Sequence, residues 1–192
     1  MAFKDAFTDF PVIETGRLFL TELVAEDAEA YHEQQKAALD LSDGVFWQYG
    51  FETASADKAS KSFEFAHNAW LKKGRIKWGV RLKESGSELI GQCELFNFSQ
   101  QSKAELGYWL GPSFHNQGFM TEAIQAVVRY AFETMEMHRI YANTSTENAA
   151  SIAMLKKVGF VQEGILRQDT WRDGAWTDSV LMAILRNDKT AA

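Results

Sequence analysis

Two periods of apolar residues divide the chain into segments that predict helices and segments that predict strands. After Gly118, the apolar residues Met120, Ala123, Ile124 and Val127 recur every three or four positions, which predicts a helix packed on a sheet. Shorter apolar and β-branched runs between polar or glycine-containing turns predict strands. The predicted strands cover 17–23, 77–82, 89–98, 104–110, 139–144, 161–172 and 175–185, and the predicted helices cover 25–41, 54–73, the segment after Gly118, and 148–158.

The resulting order is β, α, α, β, β, β, α, β, α, β, β, which predicts an α/β fold with helices flanking a mixed central sheet of about seven strands. The strand, helix and strand within residues 104–144 form a crossover, so we expect parallel strands and a right-handed connection. Asp173-Gly174 predicts a hairpin between the last two strands. The 192 residues include no repeat or proline-rich linker, which predicts one domain over 1–192 with its core at about 14–185.

The charge of the chain restricts the partners that we expect. A formal net charge of −6 disfavours attraction to nucleic acid and to anionic membranes, so neither is expected as a partner. The sequence has no apolar run of about 20 residues, and its start, Met1–Asp5, lacks the features of a signal peptide. These observations predict a cytoplasmic protein. A cationic substrate fits its acidity, which solubility alone also explains.

Cysteine and histidine give no sign of redox or metal chemistry. Cys93 is the single cysteine, and its neighbours Gln92 and Glu94 supply neither a base nor a positive charge that would activate a thiol. We expect Cys93 in the core or on a sheet face. Three histidines lack metal-ligand spacing, so no metal is expected; they are His32, His67 and His138.

The segment from Leu106 to Ala123 predicts a strand, a tight polar loop and a helix whose first turn has no side chain at Gly118. Unpaired N–H groups in the first turn of a helix, with the positive end of its dipole, hold phosphate oxygens without Lys or Arg. The alternative is a glycine that only relieves strain or shapes the turn. This loop would lie at the carboxyl ends of the strands, where open α/β sheets bind ligands, so the pattern indicates a phosphate-bearing cofactor.

Four segments, in their order and spacing, resemble the GNAT superfamily of acetyl-coenzyme A dependent N-acetyltransferases. They are Ala104–Leu110, His115–Ala123, Glu147–Ser151 and Leu155–Phe160. With Glu14–Leu18, the similarity points to the ribosomal-protein N-terminal acetyltransferase branch, the RimJ/RimL type. The sequence departs from the family pattern at two positions of the cofactor motif, where His115 replaces Gln or Arg and Met120 replaces Gly or Ala.

The resemblance implies that acetyl-coenzyme A is the acetyl donor. Its pyrophosphate would meet the N–H groups of Gln117–Thr121, and its pantetheine arm would pair with the strand that ends at Tyr108–Leu110. The same strand, near Trp109 and Leu110, would offer an N–H group to the thioester oxygen. The implied cofactor-binding residues are Tyr108, Trp109, Leu110, His115, Asn116, Gln117, Gly118, Phe119, Met120, Thr121, Asn148 and Ser151.

Two residues are candidates for proton transfer. The resemblance implies that Glu105 deprotonates the substrate ammonium, directly or through water; the alternative is a solvated or salt-bridged glutamate. It also implies that Ser151 gives a proton to the coenzyme A thiolate, since Leu155 occupies the place of the tyrosine that many family members use. Alternatively, Ser151 only belongs to the first helical turn after Asn148, which could both cap the helix and bind the pantetheine arm.

The implied reaction is transfer of acetyl to a primary amine by direct attack in a ternary complex. The acceptor could be a peptide or protein N-terminus or a small-molecule amine. A coenzyme A sensor without turnover, or a scaffold without a cofactor, are the alternatives. Family similarity also suggests a homodimer. Several aromatic residues could form an acceptor groove, a dimer contact or core; they are Phe46, Trp47, Tyr49, Phe51, Trp171 and Trp176.

Overall fold

The computed structural model describes residues 7–41, 55–99, 102–172 and 174–188 of the chain. The strands are β1 (Ile13–Glu14), β2 (Leu18–Glu22), β3 (Arg75–Leu82), β4 (Glu88–Phe96), β5 (Lys103–Leu110), β6 (Arg139–Ser145), β7 (Val161–Arg172) and β8 (Ala175–Leu185). The helices are α1 (Ala28–Leu41), α2 (Ala56–Leu71), α3 (Phe119–Glu133) and α4 (Ala149–Val158). This is the predicted succession of elements with one strand added at the start.

Within the described ranges, the strands form one eight-stranded sheet in the order β1-β2-β3-β4-β5-β6-β8-β7. Neighbouring strands are antiparallel except β5 and β6, which are parallel because α3 crosses between them. The predicted mixed α/β sheet, its parallel pair and its final hairpin are confirmed. We expected about seven strands and did not predict β1, because a strand of two residues is too short to show a period of apolar positions.

The starts of α1 and α2 differ from the predicted ranges for local reasons. The predicted helix over 25–41 begins with a 3₁₀ turn at Ala25–Asp27, where the Val24 N–H donates to the Asp27 carboxylate at 2.9 Å. Helix α2 begins after Ser55, whose hydroxyl accepts from the Lys58 N–H at 3.3 Å. No helix in the described ranges is both long and apolar enough to cross a membrane.

The sheet separates two helical layers, as the alternation along β3 shows. Ile76 and Trp78 point into a large core with α3 and α4, whereas Lys77, between them, faces a smaller cluster with α1 and α2. The smaller cluster includes Trp109 of β5, whose ring packs edge-on against Tyr31 of α1 at 5.0 Å. Successive residues of β5 therefore face different helical layers.

Strands β5 and β6 separate after only three residue pairs. Lys103, Ala104 and Glu105 pair with β6, and β6 continues beside β8 instead, from Arg139 to Ser145. From Leu106 onward, β5 is paired only with β4, so the edge of β5 that faces β6 is open. This open edge lies at the carboxyl end of the parallel pair, directly before the loop that leads to α3.

Candidate active site

A cleft of about 380 Å³ lies between the open edge of β5, the loop before α3 and the start of α4. Ten of the twelve predicted cofactor-binding residues line it: Tyr108, Trp109, Leu110, His115, Asn116, Gly118, Met120, Thr121, Asn148 and Ser151. Five other residues complete the lining: Phe114, Ala150, Ala153, Met154 and Lys157. The structure therefore brings together three sequence segments that are separate along the chain.

The loop before α3 presents main-chain donors to this cleft. Asn116 and Gly118 have positive φ angles of 59° and 78°, and Gly118 is the residue before the first turn of α3. Within the described residues, the N–H groups of 116–121 donate no hydrogen bond to another protein atom. A run of unpaired amides at the positive end of a helix is the arrangement that binds anionic oxygens. We name residues 115–121 the phosphate loop.

Three side chains of the phosphate loop make contacts within the protein. His115 Nε2 lies 3.0 Å from the Leu110 carbonyl, and Gln117 Nε2 donates to the Ser113 carbonyl at 3.0 Å. Met120 is buried, with its sulfur 3.4 Å from Cys93 Sγ. The replacements at His115 and Met120 therefore leave the main chain of the loop unobstructed. Gln117 and the buried Phe119 do not line the cleft, so only their N–H groups remain as predicted contacts.

At the other wall of the cleft, the Ser151 hydroxyl lies 2.6 Å from the hydroxyl of Tyr108. Ser151 is held there by the cap of α4, because Asn148 Oδ1 accepts from the Ser151 N–H at 3.0 Å. Burial raises the pKa of Tyr108, partly offset by the hydrogen bond with Ser151, so this phenol stays protonated at neutral pH. No sequence pattern predicted this pair, which joins a strand residue to a helix residue.

Glu105 lies where β5 and β6 separate, on the face of β5 that carries Gly107 and Trp109. Its carboxylate is buried and accepts from Asn97 Nδ2 at 2.8 Å and from Asn143 Nδ2 at 3.4 Å. Burial raises the pKa of the neighbouring Tyr141, and the charge and hydrogen bond of Glu105 raise it further. Glu105 is thus held by amide groups rather than exposed to solvent.

Sequence reasoning missed a buried charged cluster beside Glu105 on this face. Glu94 of β4 is paired with Arg75 of β3 at 2.7 Å, and Lys77 Nζ donates to Ser62 Oγ at 3.0 Å. Burial raises the pKa of Glu94 despite Arg75 and Lys77, and burial lowers the pKa of Lys77 to about 8. We name Arg75, Lys77 and Glu94 the buried charge cluster.

Gly107 leaves the space that the cluster occupies. A Cβ atom at Gly107 would lie 3.0 Å from Glu94 Oε1, tighter than an ordinary contact. Glycine in a strand interior often marks such a close approach, which was the one signal available in the sequence. It could not identify the group that approaches.

Two other predictions concern residues that lie outside the cleft. Cys93 is buried in the core, as expected. Trp171 and Trp176 pack against each other at 5.3 Å between ring centroids and are exposed, so they are not core residues. Phe46, Trp47, Tyr49 and Phe51 lie outside the described residues. Among the residues that the structure describes, no group of three potential ligands could hold a metal ion.

A larger groove of about 820 Å³ runs along the outer side of α3. Its lining includes Thr15, Arg17, Glu122, Arg129 and Arg186 but neither the open strand edge nor the Ser151 hydroxyl. The smaller cleft is therefore the candidate active site.

This combination of a sheet split at one parallel pair and an amide-lined helix start defines the class of protein, and comparison with known proteins agrees. The family model for an acetyltransferase (GNAT) domain matches residues 17–161, and the chain belongs to this family. The chain is 34% identical over 179 residues to the uncharacterized N-acetyltransferase YoaA of Bacillus subtilis (strain 168), covering 92% of this chain and 98% of that one. The protein is accordingly an N-acetyltransferase by family.

Two further relatives come from the ribosomal-protein branch. The ribosomal protein uS5-alanine N-acetyltransferase of Escherichia coli (strain K12) is 36% identical over 125 residues, which are 64% of each chain. The structure of Mycobacterium smegmatis RimJ in complex with CoA-disulfide has a TM-score of 0.84 at 22% identity, covering 95% of this chain and 91% of that one. The second likeness concerns the fold. The predicted family is thus confirmed, its homologues include proteins named ribosomal-protein N-acetyltransferases, and GNAT acetyltransferases use acetyl-coenzyme A.

Proposed function

We propose that the protein transfers acetyl from acetyl-coenzyme A to a primary amine by direct attack in a ternary complex. The observation that supports this most strongly is the run of unpaired amides in the phosphate loop, next to a strand edge that has lost its partner. The amides fit a diphosphate, and the open edge of β5 fits a chain of amide groups such as pantetheine. The cofactor would run from the loop toward the point where β5 and β6 separate.

In this pose, the predicted cofactor contacts are mostly main-chain atoms. The N–H groups of Gln117–Thr121 would bind the diphosphate, and the main chain of Tyr108–Leu110 would pair with the pantetheine arm. Trp109 contributes no side chain, because its indole Nε1 donates to Gln92 Oε1 at 3.2 Å on the other face. Lys157 lines the cleft and is the cation that α4 offers to a phosphate group.

The reaction needs a proton removed from the amine and a proton supplied to the thiolate. Glu105 takes a proton from the substrate ammonium, directly or through one water, and the neutral nitrogen attacks the thioester carbon. An N–H group of β5 near Trp109 and Leu110 stabilises the oxyanion. The new C–N bond forms as the C–S bond breaks, Ser151 gives its proton to the sulfur, and the acylated nitrogen gives its second proton to water.

The position of the Tyr108 hydroxyl suits the step in which we propose that Ser151 gives a proton to the departing coenzyme A sulfur. If the phenol donates to Ser151 Oγ, the serine O–H is free to point at the sulfur. The proton that Ser151 loses can then be replaced by Tyr108 along the same hydrogen bond, and Tyr108 regains its proton from water. Tyr108 thereby serves the step for which many family members place a tyrosine at the position of Leu155.

We further propose that the acceptor is a peptide or protein N-terminus. The relatives named for uS5 alanine and for ribosomal-protein serine support this choice over a small-molecule amine. The buried carboxylate of Glu105, at the point where β5 and β6 separate, favours a cationic group there. A homodimer stays a prediction.

The test is an acceptor panel with acetyl-coenzyme A, in which release of free thiol is followed. The panel contains peptides that begin with Ala or Ser, the same peptides with a blocked N-terminus, free amino acids and polyamines. We expect amine-dependent thiol release with the unblocked peptides and none with the blocked ones. Tight binding of coenzyme A with no acceptor-dependent release across the panel would replace this proposal with the sensor, and absence of binding would favour the scaffold.

A further inference from the structure

Arg17 lies just before β2, about a hundred positions before the phosphate loop in sequence, yet it makes three contacts there. Its Nε donates to Glu122 Oε2 at 2.6 Å, and its Nη1 donates to the Gln117 carbonyl at 2.9 Å. Its guanidinium carbon lies 4.4 Å above the centroid of the Phe119 ring. One side chain therefore holds residues on both sides of Gly118.

The contact with the Gln117 carbonyl fixes the direction of the next amide. The C=O and N–H groups of a trans peptide point to opposite sides, so the N–H of Gly118 is turned away from Arg17. Gly118 itself lines the cleft. Without the hydrogen bond from Arg17 to the Gln117 carbonyl, the peptide between Gln117 and Gly118 could rotate, because Gly118 tolerates many backbone conformations.

The contact between Arg17 and Glu122 also affects the charge near the phosphate loop. Its carboxylate lies in the first turn of α3 and accepts from Thr15 Oγ1 at 2.6 Å and from the Arg17 N–H at 2.9 Å. Burial alone would raise the pKa of Glu122, but its hydrogen bonds with Thr15 and Arg17 outweigh burial and lower it. An ionised carboxylate so close to a diphosphate would repel it, and the Arg17 guanidinium neutralises that charge.

One nitrogen of Arg17 remains available. Within the described residues, Nη2 donates no hydrogen bond, and it lies 3.5 Å from the position that a Cβ atom of Gly118 would take. The positive charge is thus adjacent to the unpaired amides. The phosphate loop, which contains no Lys or Arg, receives a cation from a residue that lies about a hundred positions earlier in the sequence.

From these contacts we infer that Arg17 is the positioning residue of the phosphate loop, and that it sets the affinity for the diphosphate of the cofactor. It fixes the peptide before Gly118, cancels the charge of Glu122 and adds a cation beside the amides. This inference rests on the proposed function, because it assigns Arg17 a role toward the phosphates of coenzyme A.

The experiment compares the dissociation constants of coenzyme A and of pantetheine, which has no phosphate. We expect Arg17→Ala to weaken coenzyme A binding by at least about tenfold, since hydrogen bonds to charged groups have effects of this size. Pantetheine binding should change by less than about twofold. Arg17→Lys should also weaken coenzyme A binding, because one ammonium cannot hold Glu122 and Gln117 in the same planar arrangement.

Two variants sharpen the experiment. Arg81→Ala is the matched control, because Arg81 also joins a strand to a carboxylate at a helix start, through Asp27 at 2.6 Å, away from the cleft. It should bind coenzyme A as the wild type does. The double variant Arg17→Ala with Glu122→Gln should bind coenzyme A more tightly than Arg17→Ala alone, because the uncompensated charge has been removed.

Coenzyme A affinity of Arg17→Ala within about twofold of the wild type would overturn the inference. Equal weakening of coenzyme A and pantetheine would overturn it as well, because that pattern indicates general destabilisation. If Arg17→Ala does not fold, Arg17→Lys provides the same comparison. A wild-type protein that binds no coenzyme A would overturn both this inference and the proposed function, whereas normal wild-type binding with unaffected Arg17 variants would overturn the inference alone.

Discussion

The two sides of β5 are built from different chemical groups. On the cofactor side, the phosphate loop and the open strand edge offer main-chain amides, and the side chains of His115 and Met120 are engaged elsewhere. On the amine side, Glu105 and the buried charge cluster place ionisable side chains in the protein interior. The cofactor side depends on backbone geometry, whereas the amine side depends on side chains from four strands converging.

Because of this difference, departures from the family pattern on the cofactor side leave its main-chain donors intact. A main-chain donor survives most substitutions at its own position, so His115 in place of Gln or Arg leaves the amides of 116–121 unpaired. A buried carboxylate has no such freedom, because losing its partner leaves a charge without compensation. We therefore expect substitutions on the amine side to have the larger effects.

Glu105→Gln should have the largest effect on catalysis. Glutamine keeps the shape and one accepting oxygen for Asn97 or Asn143, but it cannot accept a proton from the ammonium, so kcat should fall on the order of 10²- to 10⁴-fold. The dependence of kcat on pH should change as well. Steady-state rates across pH give both results.

The control for this prediction is Glu163→Gln, a substitution on β7 at a surface ion pair with Arg139. It should leave kcat and the pH-rate profile unchanged. If Glu105→Gln keeps the wild-type rate and profile while its thermal unfolding is normal, Glu105 is a structural glutamate and the base lies elsewhere.

The contrast between the two sides also decides what the sequence could predict. The period of the α3 segment, Gly118 and the order of elements predicted the sheet, the crossover and the anion-binding loop, because each is local in sequence. The pairing of Glu94 with Arg75, the contact of Tyr108 with Ser151 and the contacts of Arg17 with the phosphate loop depend on strand register across the fold. Register follows from the packing of the whole sheet, so no short segment shows it.

Arg75→Ala should have the largest effect on stability. It leaves Glu94, which is 3% exposed, without the guanidinium at 2.7 Å, and breaking such a buried pair costs about 3 kcal/mol of unfolding free energy. Chemical denaturation measures this loss. The matched control is Arg139→Ala, whose partner Glu163 is more exposed, with an expected cost below about 1 kcal/mol. Equal losses for both variants would show that Glu94 does not need its partner.

Gly118→Ala tests the backbone side. Space is not the obstacle, since the nearest atom to a Cβ there is Arg17 Nη2 at 3.5 Å, but a φ of 78° costs an L-residue about 1–2 kcal/mol. Relief of this strain would turn the amides, so we expect coenzyme A affinity to fall about tenfold. Gly86→Ala, with a φ of 70° in the turn after β3, is the control. Gly86→Ala should lose stability without losing affinity for coenzyme A. If both variants lose this affinity to the same extent, Gly118 has no specific role in binding the phosphates.

The smallest effect is expected for Asn148, whose side chain both caps α4 and lines the cleft. Asn148→Ala removes the cap of α4 and should cost about 1 kcal/mol of stability, as Ser55→Ala should at the start of α2. Asn148 also lines the cleft, which Ser55 does not, and we propose a second role for its amide there. Asn148→Ser restores a capping oxygen without the amide NH₂ group. If the amide binds the pantetheine arm, Asn148→Ser will recover the stability but not the KM for acetyl-coenzyme A. If KM recovers together with stability, Asn148 acts on the cofactor only by holding Ser151 in place.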